Sequence, residues 1–222
     1  MLHKKIKLIF SLIFFLTVIF QPTYLNAEES SINYYSVLKF CTGIVAAFSI
    51  HELSHATVAE LTNTKINWEA GTYNQPIGFT EYADSDLKGF SLNSAGLLSQ
   101  VIGSEIVLRS DGINKNNPFV QGFMTWNILN PILYSLDYWL FHTTNKEGDN
   151  SYQGDLEGIE HYSNEATAHG FAFSMTALSI FQGYRFLKTQ SWAPNWIKSE
   201  SHNMSLEPKP SGGFLLKYKV RF

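Results

Sequence analysis

Val45-Ala46-Ala47-Phe48-Ser49-Ile50-His51-Glu52-Leu53-Ser54-His55-Ala56-Thr57-Val58-Ala59 is the stretch on which the reading turns. It is apolar on most sides, lacks proline and glycine, and continues a nearly uncharged run that begins at Phe40, so residues 34 to 62 read as one long helix. Histidines four residues apart on a helix lie on one face, one turn apart, where both imidazoles can reach one tetrahedral ion. Glu52, next to the first histidine, stands where a general base for water activated by zinc is needed. Burying two histidines and a carboxylate among valines and alanines is costly unless something compensates. A metal does so, which favours a zinc site over a coincidental HExxH match or a satisfied polar cluster.

A catalytic zinc takes three protein ligands and keeps one position open. Asp137 is the leading candidate for the third, because it closes Asn130-Pro131-Ile132-Leu133-Tyr134-Ser135-Leu136-Asp137, an otherwise apolar segment in which a buried acid wants a cation. An acid at a helix end facing water is the competing reading. Glu160 and Glu165, in the acidic region that follows, are rival ligands. Asp149 to Glu160 also resembles a degenerate calcium loop, but Ser151 and Gln153 stand where Asp or Asn is preferred.

These residues together resemble the site-2 protease family of intramembrane zinc metallopeptidases. In that family one helix carries HExxH and a later helix carries an Asn-Pro segment ending in Leu-Asp-Gly; the matching residues are His51-Glu52-Leu53-Ser54-His55-Ala56 and Leu136-Asp137. The likeness covers about residues 36 to 141 and includes the small-residue stretch Ser94-Ala95-Gly96-Leu97-Leu98. It implies His51, His55 and Asp137 as metal ligands, Glu52 as the base, and Asn127 or Asn130 as a polar partner for substrate. The chain departs from the family pattern at Ser54 and Tyr138, where glycine is usual, and Pro131 stands six residues before Asp137 rather than five.

Outward from the motif, residues 65 to 82 scatter Trp68, Tyr73 and Phe79 among Gly71, Asn74-Gln75-Pro76 and Gly78, which predicts an irregular hairpin or edge strand. Apolar segments follow at about 92 to 108, 119 to 141 and 166 to 187, with a polar, acidic stretch over 143 to 165. In the tail, Phe214, Leu216, Tyr218, Val220 and Phe222 alternate with Leu215 and three basic residues, a period-two strand. It is expected to add to the 65 to 82 hairpin. The fold class is therefore mainly α, a bundle of about four apolar, membrane-embedded helices with a small β-hairpin and a C-terminal strand.

Lys4, Lys5 and Lys7 precede an apolar run from Leu8 to Phe20, and Leu25-Asn26-Ala27 offers a cleavage site, so residues 1–27 read as a signal peptide and 28–222 as a single metallopeptidase-like domain. Thirteen apolar residues fall short of the roughly 20 a spanning helix needs. Removing that segment leaves thirteen basic against nineteen acidic residues, a net charge of −6 that argues against nucleic acid as a partner. The one cysteine, Cys41, has no intrachain partner for a disulfide.

The sequence thus predicts a zinc metallopeptidase of a cell-envelope membrane, acting on a peptide or membrane-protein substrate amid membrane lipid. A metallohydrolase for amides or esters is the first alternative, and a non-catalytic membrane protein with a structural metal is the second.

Overall fold

A computed structural model describes residues 33–72, 75–79, 83–141, 154–198, 202–208 and 214–220, with side chains in 33–65, 83–141 and 154–198. The expected signal peptide, and residues 149–153 of the loop likened to a calcium site, lie outside these residues. The chain divides into two units, Tyr34–Gln190 and a second that contains Ser191–Phe222.

The first unit is mainly helical. Helix α1 spans Tyr34–Thr62, α2 Asp86–Arg109, α3 Pro118–Phe141, α4 Asp155–His161 and α5 Glu165–Thr189; strands β1, Ile66–Thr72, and β2, Gln75–Phe79, form an antiparallel pair. Ser85 caps α2 by accepting from the Lys88 N–H, which starts that helix six residues before its apolar run. Asn164 does the same for α5 through the Thr167 N–H at 2.9 Å. The short α4, inside the stretch read as a polar loop, exists because Leu156 and Ile159, three residues apart, are both buried.

Side-chain contacts fix the helix directions. His55 meets Leu92 and His51 lies against Gly96, so α1 and α2 run antiparallel. Gln100 bonds Asn130, which reverses α3 against α2, and Ser135 bonds Ala172, which reverses α5 against α3. The result is an up-down-up-down bundle of α1, α2, α3 and α5, with α4 set into the connection at one end. A core of Leu97, Tyr138, Leu156, Ile159, Ala172 and Met175 lies under that end.

Near the other end α1 and α3 touch backbone to backbone. A Cβ on Gly43 would overlap the Phe119 carbonyl, and one on Gly122 would overlap the Phe40 carbonyl, so only glycine permits this approach from either side. Pro131 lies inside α3 without ending it; the Ser135 hydroxyl there donates to the carbonyls of Pro131 and Ala172.

In the second unit, α6 spans Asn195–Lys198, β3 His202–Pro208 and β4 Phe214–Val220. Here the tail departs from expectation: β4 pairs antiparallel with β3 and does not join the β1–β2 pair. The Pro208 to Phe214 connection lets the alternating tail fold back on the segment before it, a nearer partner than residues 66 to 79.

Candidate metal centre

His51 and His55 occupy adjacent turns of α1 and are almost fully buried. Their Nε2 atoms are 3.2 Å apart. The acid that meets them is Asp155, the first residue of α4: its Oδ2 is 3.3 Å from His51 Nε2 and its Oδ1 is 3.3 Å from His55 Nε2. These three residues are the one His, Cys, Asp and Glu group among the described residues whose donor atoms converge as for a metal ion.

Two neighbours set the donor directions. His55 Nδ1 donates to the Leu92 carbonyl at 2.7 Å, which fixes the tautomer and leaves the Nε2 lone pair facing His51 and Asp155. Gly96 lies against both imidazoles, and a Cβ there would overlap the two rings. The glycine therefore makes room for the histidine pair.

Three Lewis-basic atoms facing one point are poorly served by hydrogen bonds alone. Held together without an ion, they need an extra proton on His55 Nε2, so that a buried imidazolium faces Asp155. Asp155 Oδ2 and His51 Nδ1 have no hydrogen-bond partner among the described residues, although both are buried. A cation removes the difficulty. With the imidazole nitrogens 3.2 Å apart and each 3.3 Å from a different Asp155 oxygen, one donor atom from each residue lies within 4.8 Å of the others, close enough to serve one ion. Two imidazoles and a carboxylate form a donor set that suits zinc and leaves a fourth position open. Burial alone would raise the Asp155 carboxyl, but His55 and His51 outweigh it and hold the group well below the usual carboxylate range.

Glu52 is half-buried beside His51, close enough to both imidazoles and Asp155 to feel their charges. Asp155 is aimed by its surroundings. Gly154, before it, has φ 94 and ψ 166, a conformation open essentially to glycine alone. Leu156 and Ile159 anchor α4 in the core, and Gly158 packs on the Asn93 amide, whose Nδ2 donates to the Gly89 carbonyl. Gly154→Ala is expected to cost about 1–3 kcal/mol and to weaken zinc binding by turning Asp155 out of line. Thermal melts with and without zinc check this, and an unchanged zinc-dependent shift would show that the glycine does not aim Asp155.

The other expected site residues lie elsewhere. Asp137 is exposed on α3 and is not grouped with the histidines, because the α3 side that packs inward at this height presents Ser135 and Tyr138. Glu160 accepts from the Tyr138 hydroxyl at 2.5 Å, and Glu165 is exposed beside His169. Asn130 is buried one turn along α2 from Gly96, its amide donating to Gln100 at 3.0 Å. Asn127 lies beside Gly103, a further turn away. Asp155 went unnoticed in the sequence because it sits in a polar stretch. The signal available was Gly154-Asp155 leading a short apolar period of Leu156, Ile159 and Tyr162.

Compared with family models, with curated proteins and with solved structures, the chain matches none.

Proposed function

We propose that this chain is a zinc-dependent metallopeptidase that hydrolyses peptide bonds within or at a membrane of the cell envelope. The observation that carries the reading is the triangle of His51 Nε2, His55 Nε2 and the Asp155 carboxylate, with Glu52 beside it. Zinc, when held by these residues, supplies a Lewis acid for the scissile carbonyl and a water that loses its proton near neutral pH.

The chain's own residues account for the rest. His55, oriented by the Leu92 carbonyl, and His51 present neutral nitrogens, and Asp155 supplies negative charge against the cation. Glu52 accepts the proton as water oxygen bonds to the carbonyl carbon, and returns it to the amine as the C–N bond breaks. The β1–β2 pair, which follows α1 directly, offers an edge along which an extended substrate can lie. The likeness to site-2 proteases supports peptide cleavage through the HExxH helix and a carboxylate from a later helix, with Asp155 in place of Asp137.

Membrane embedding draws on the bundle's outer faces. Helix α1 is the one helix among the described residues long and apolar enough to cross a bilayer by hydropathy, and only 17% of its most apolar window is buried. Leu98, Ile102 and Ile106 face outward on α2, whereas its polar Asn93, Gln100 and Ser104 face inward. Outward hydroxyls bond their own helix: Thr42 to Leu38, Thr57 to Leu53 and Ser174 to Gly170, each to the carbonyl four residues earlier. Hydrocarbon requires that economy, since it offers no other partner.

Zinc content and peptide hydrolysis of detergent-purified wild type and Glu52→Gln test the proposal. Wild type is expected to bind zinc stoichiometrically; Glu52→Gln is expected to keep the zinc and lose about 10²–10⁴-fold in hydrolysis. A wild type that binds no metal would sink the proposal, and a zinc protein that cleaves esters but not peptides would redirect it.

A further inference from the structure

Basic residues gather at one end of the bundle. Lys39 lies near the start of α1, Arg109 ends α2, Lys115 lies in the following turn, and Arg185 and Lys188 lie in the last turns of α5. These positions share one end, because Phe40 meets Gly122, Arg185 pairs with Glu105 at 2.7 Å and Asn116 bonds the Thr189 carbonyl. Arg109 pairs with the same Glu105 at 2.6 Å, and Glu105 and Asp111 are the acids there, so the five basic residues stand against two acids. At the metal-bearing end the basic residues among those described are Lys65 and Lys88, and Lys88 is paired with Asp84 at 2.9 Å. Carboxylates dominate there: Glu60 near the end of α1, Asp86 at the start of α2, Glu157 in α4 and Glu165 at the start of α5.

The basic end also has the form of a headgroup-level rim. Lys39 lies over the Tyr35 ring at 4.3 Å, and Lys188 over Tyr184 at 5.7 Å, each one helical turn away. An amphipathic ring with a cation above it is the arrangement that places a lysine at an interface while its stem stays in apolar surroundings. The spacing between the two charged ends fits a bilayer. On α1, residues 40–59 lie between Lys39 and Glu60, with the half-buried Glu52 as their one charged side chain; twenty helical residues rise about 30 Å, the thickness of the hydrocarbon core. On α2, residues 89–108 lie between Lys88 and Arg109, with Glu105 as their one charge, paired to Arg185.

We propose that the basic end is a docking surface for the anionic lipid headgroups of the cytoplasmic leaflet, setting the bundle across the bilayer with its metal centre towards the extracytoplasmic side. The physical basis is charge complementarity and the bias of lysine and arginine towards cytoplasmic loops. This rests on the membrane reading above. It narrows the substrate to polypeptide presented from outside the cytoplasm, and places His55 about 10 Å below the outer end of α1, seven residues from Thr62. It also requires the chain to enter α1 from the cytoplasmic side. An export signal at residues 1–27 would deliver Tyr34 to the opposite side, so the two readings exclude each other.

Single cysteines on the full chain decide between them, in a Cys41→Ser background that removes the one native thiol. Asp86→Cys, at the metal end, is expected to react with a membrane-impermeant maleimide on intact cells. Asp111→Cys, at the basic end, is expected to react only after permeabilisation. The reverse pattern overturns the orientation and leaves the membrane reading standing; wild type recovered in the soluble fraction overturns both. Independently of any variant, wild type is expected to retain Lys4, Lys5 and Lys7, and a chain cleaved after Ala27 overturns the orientation.

Discussion

Asp155→Ala is expected to strip the protein of zinc and of hydrolysis together, while Asp137→Asn leaves zinc content near that of wild type. The contrast follows from position: Asp155 places an oxygen 3.3 Å from each imidazole, and Asp137 is exposed on another helix. Losing a partner that only orients a ligand already costs about 10–100-fold in metal affinity, and losing the ligand itself costs more. Alanine also removes the negative charge that offsets the cation in a buried site. Metal analysis after dialysis against a weak chelator reads the outcome. Zinc retained in Asp155→Ala and lost in Asp137→Asn would return the third ligand to α3.

Gly96→Val is expected to damage the packing of α2 and the histidine pair together. The first carbon of the new side chain would overlap the rings of His51 and His55, so the helix or the histidines must move. Overpacking of this kind costs about 1–3 kcal/mol in an ordinary core. Here it also separates the two donors, so zinc no longer compensates for burying them. The expected result is a lower melting temperature that added zinc does not restore. Gly112→Val, where the added carbon meets nothing within 4 Å, is the control that separates this effect from a general intolerance of valine at glycine positions. A Gly96→Val protein with wild-type zinc content would refute the packing argument.

What could be read from the sequence was whatever depends on residues near one another in the chain. The HExxH spacing places its two histidines one turn apart whatever else the chain does, and α1 spans the residues on which that argument relied. The start of α2 was placed too late, since Ser85 and Asp86 belong to a cap and not to an apolar period. Asp137 shows the limit. A lone acid in an apolar helix can face inward or outward, and α3 is apolar on so many sides that its pattern does not name the buried face. Asp155 shows the complementary limit: it matters only because seven residues of α4 dock on α2 and α5, and that docking depends on Gly158 meeting Asn93 across a sequence separation no local pattern records. The expected pairing of the tail with the 65 to 82 hairpin fails for the same reason, since alternation marks a strand without naming its partner.

The glycine contact between α1 and α3 has a mechanical consequence. Backbones already touching at Gly43 and Gly122 cannot close further, so any splaying of these two helices has its fulcrum at the basic end. Gly43 and His55 are twelve residues apart on α1, an arm of about 18 Å. A swing of about 10° on that arm carries the histidine-bearing turn by about 3 Å, while the fulcrum itself barely shifts. The fold thus concentrates its leverage at the turn that carries the histidine pair.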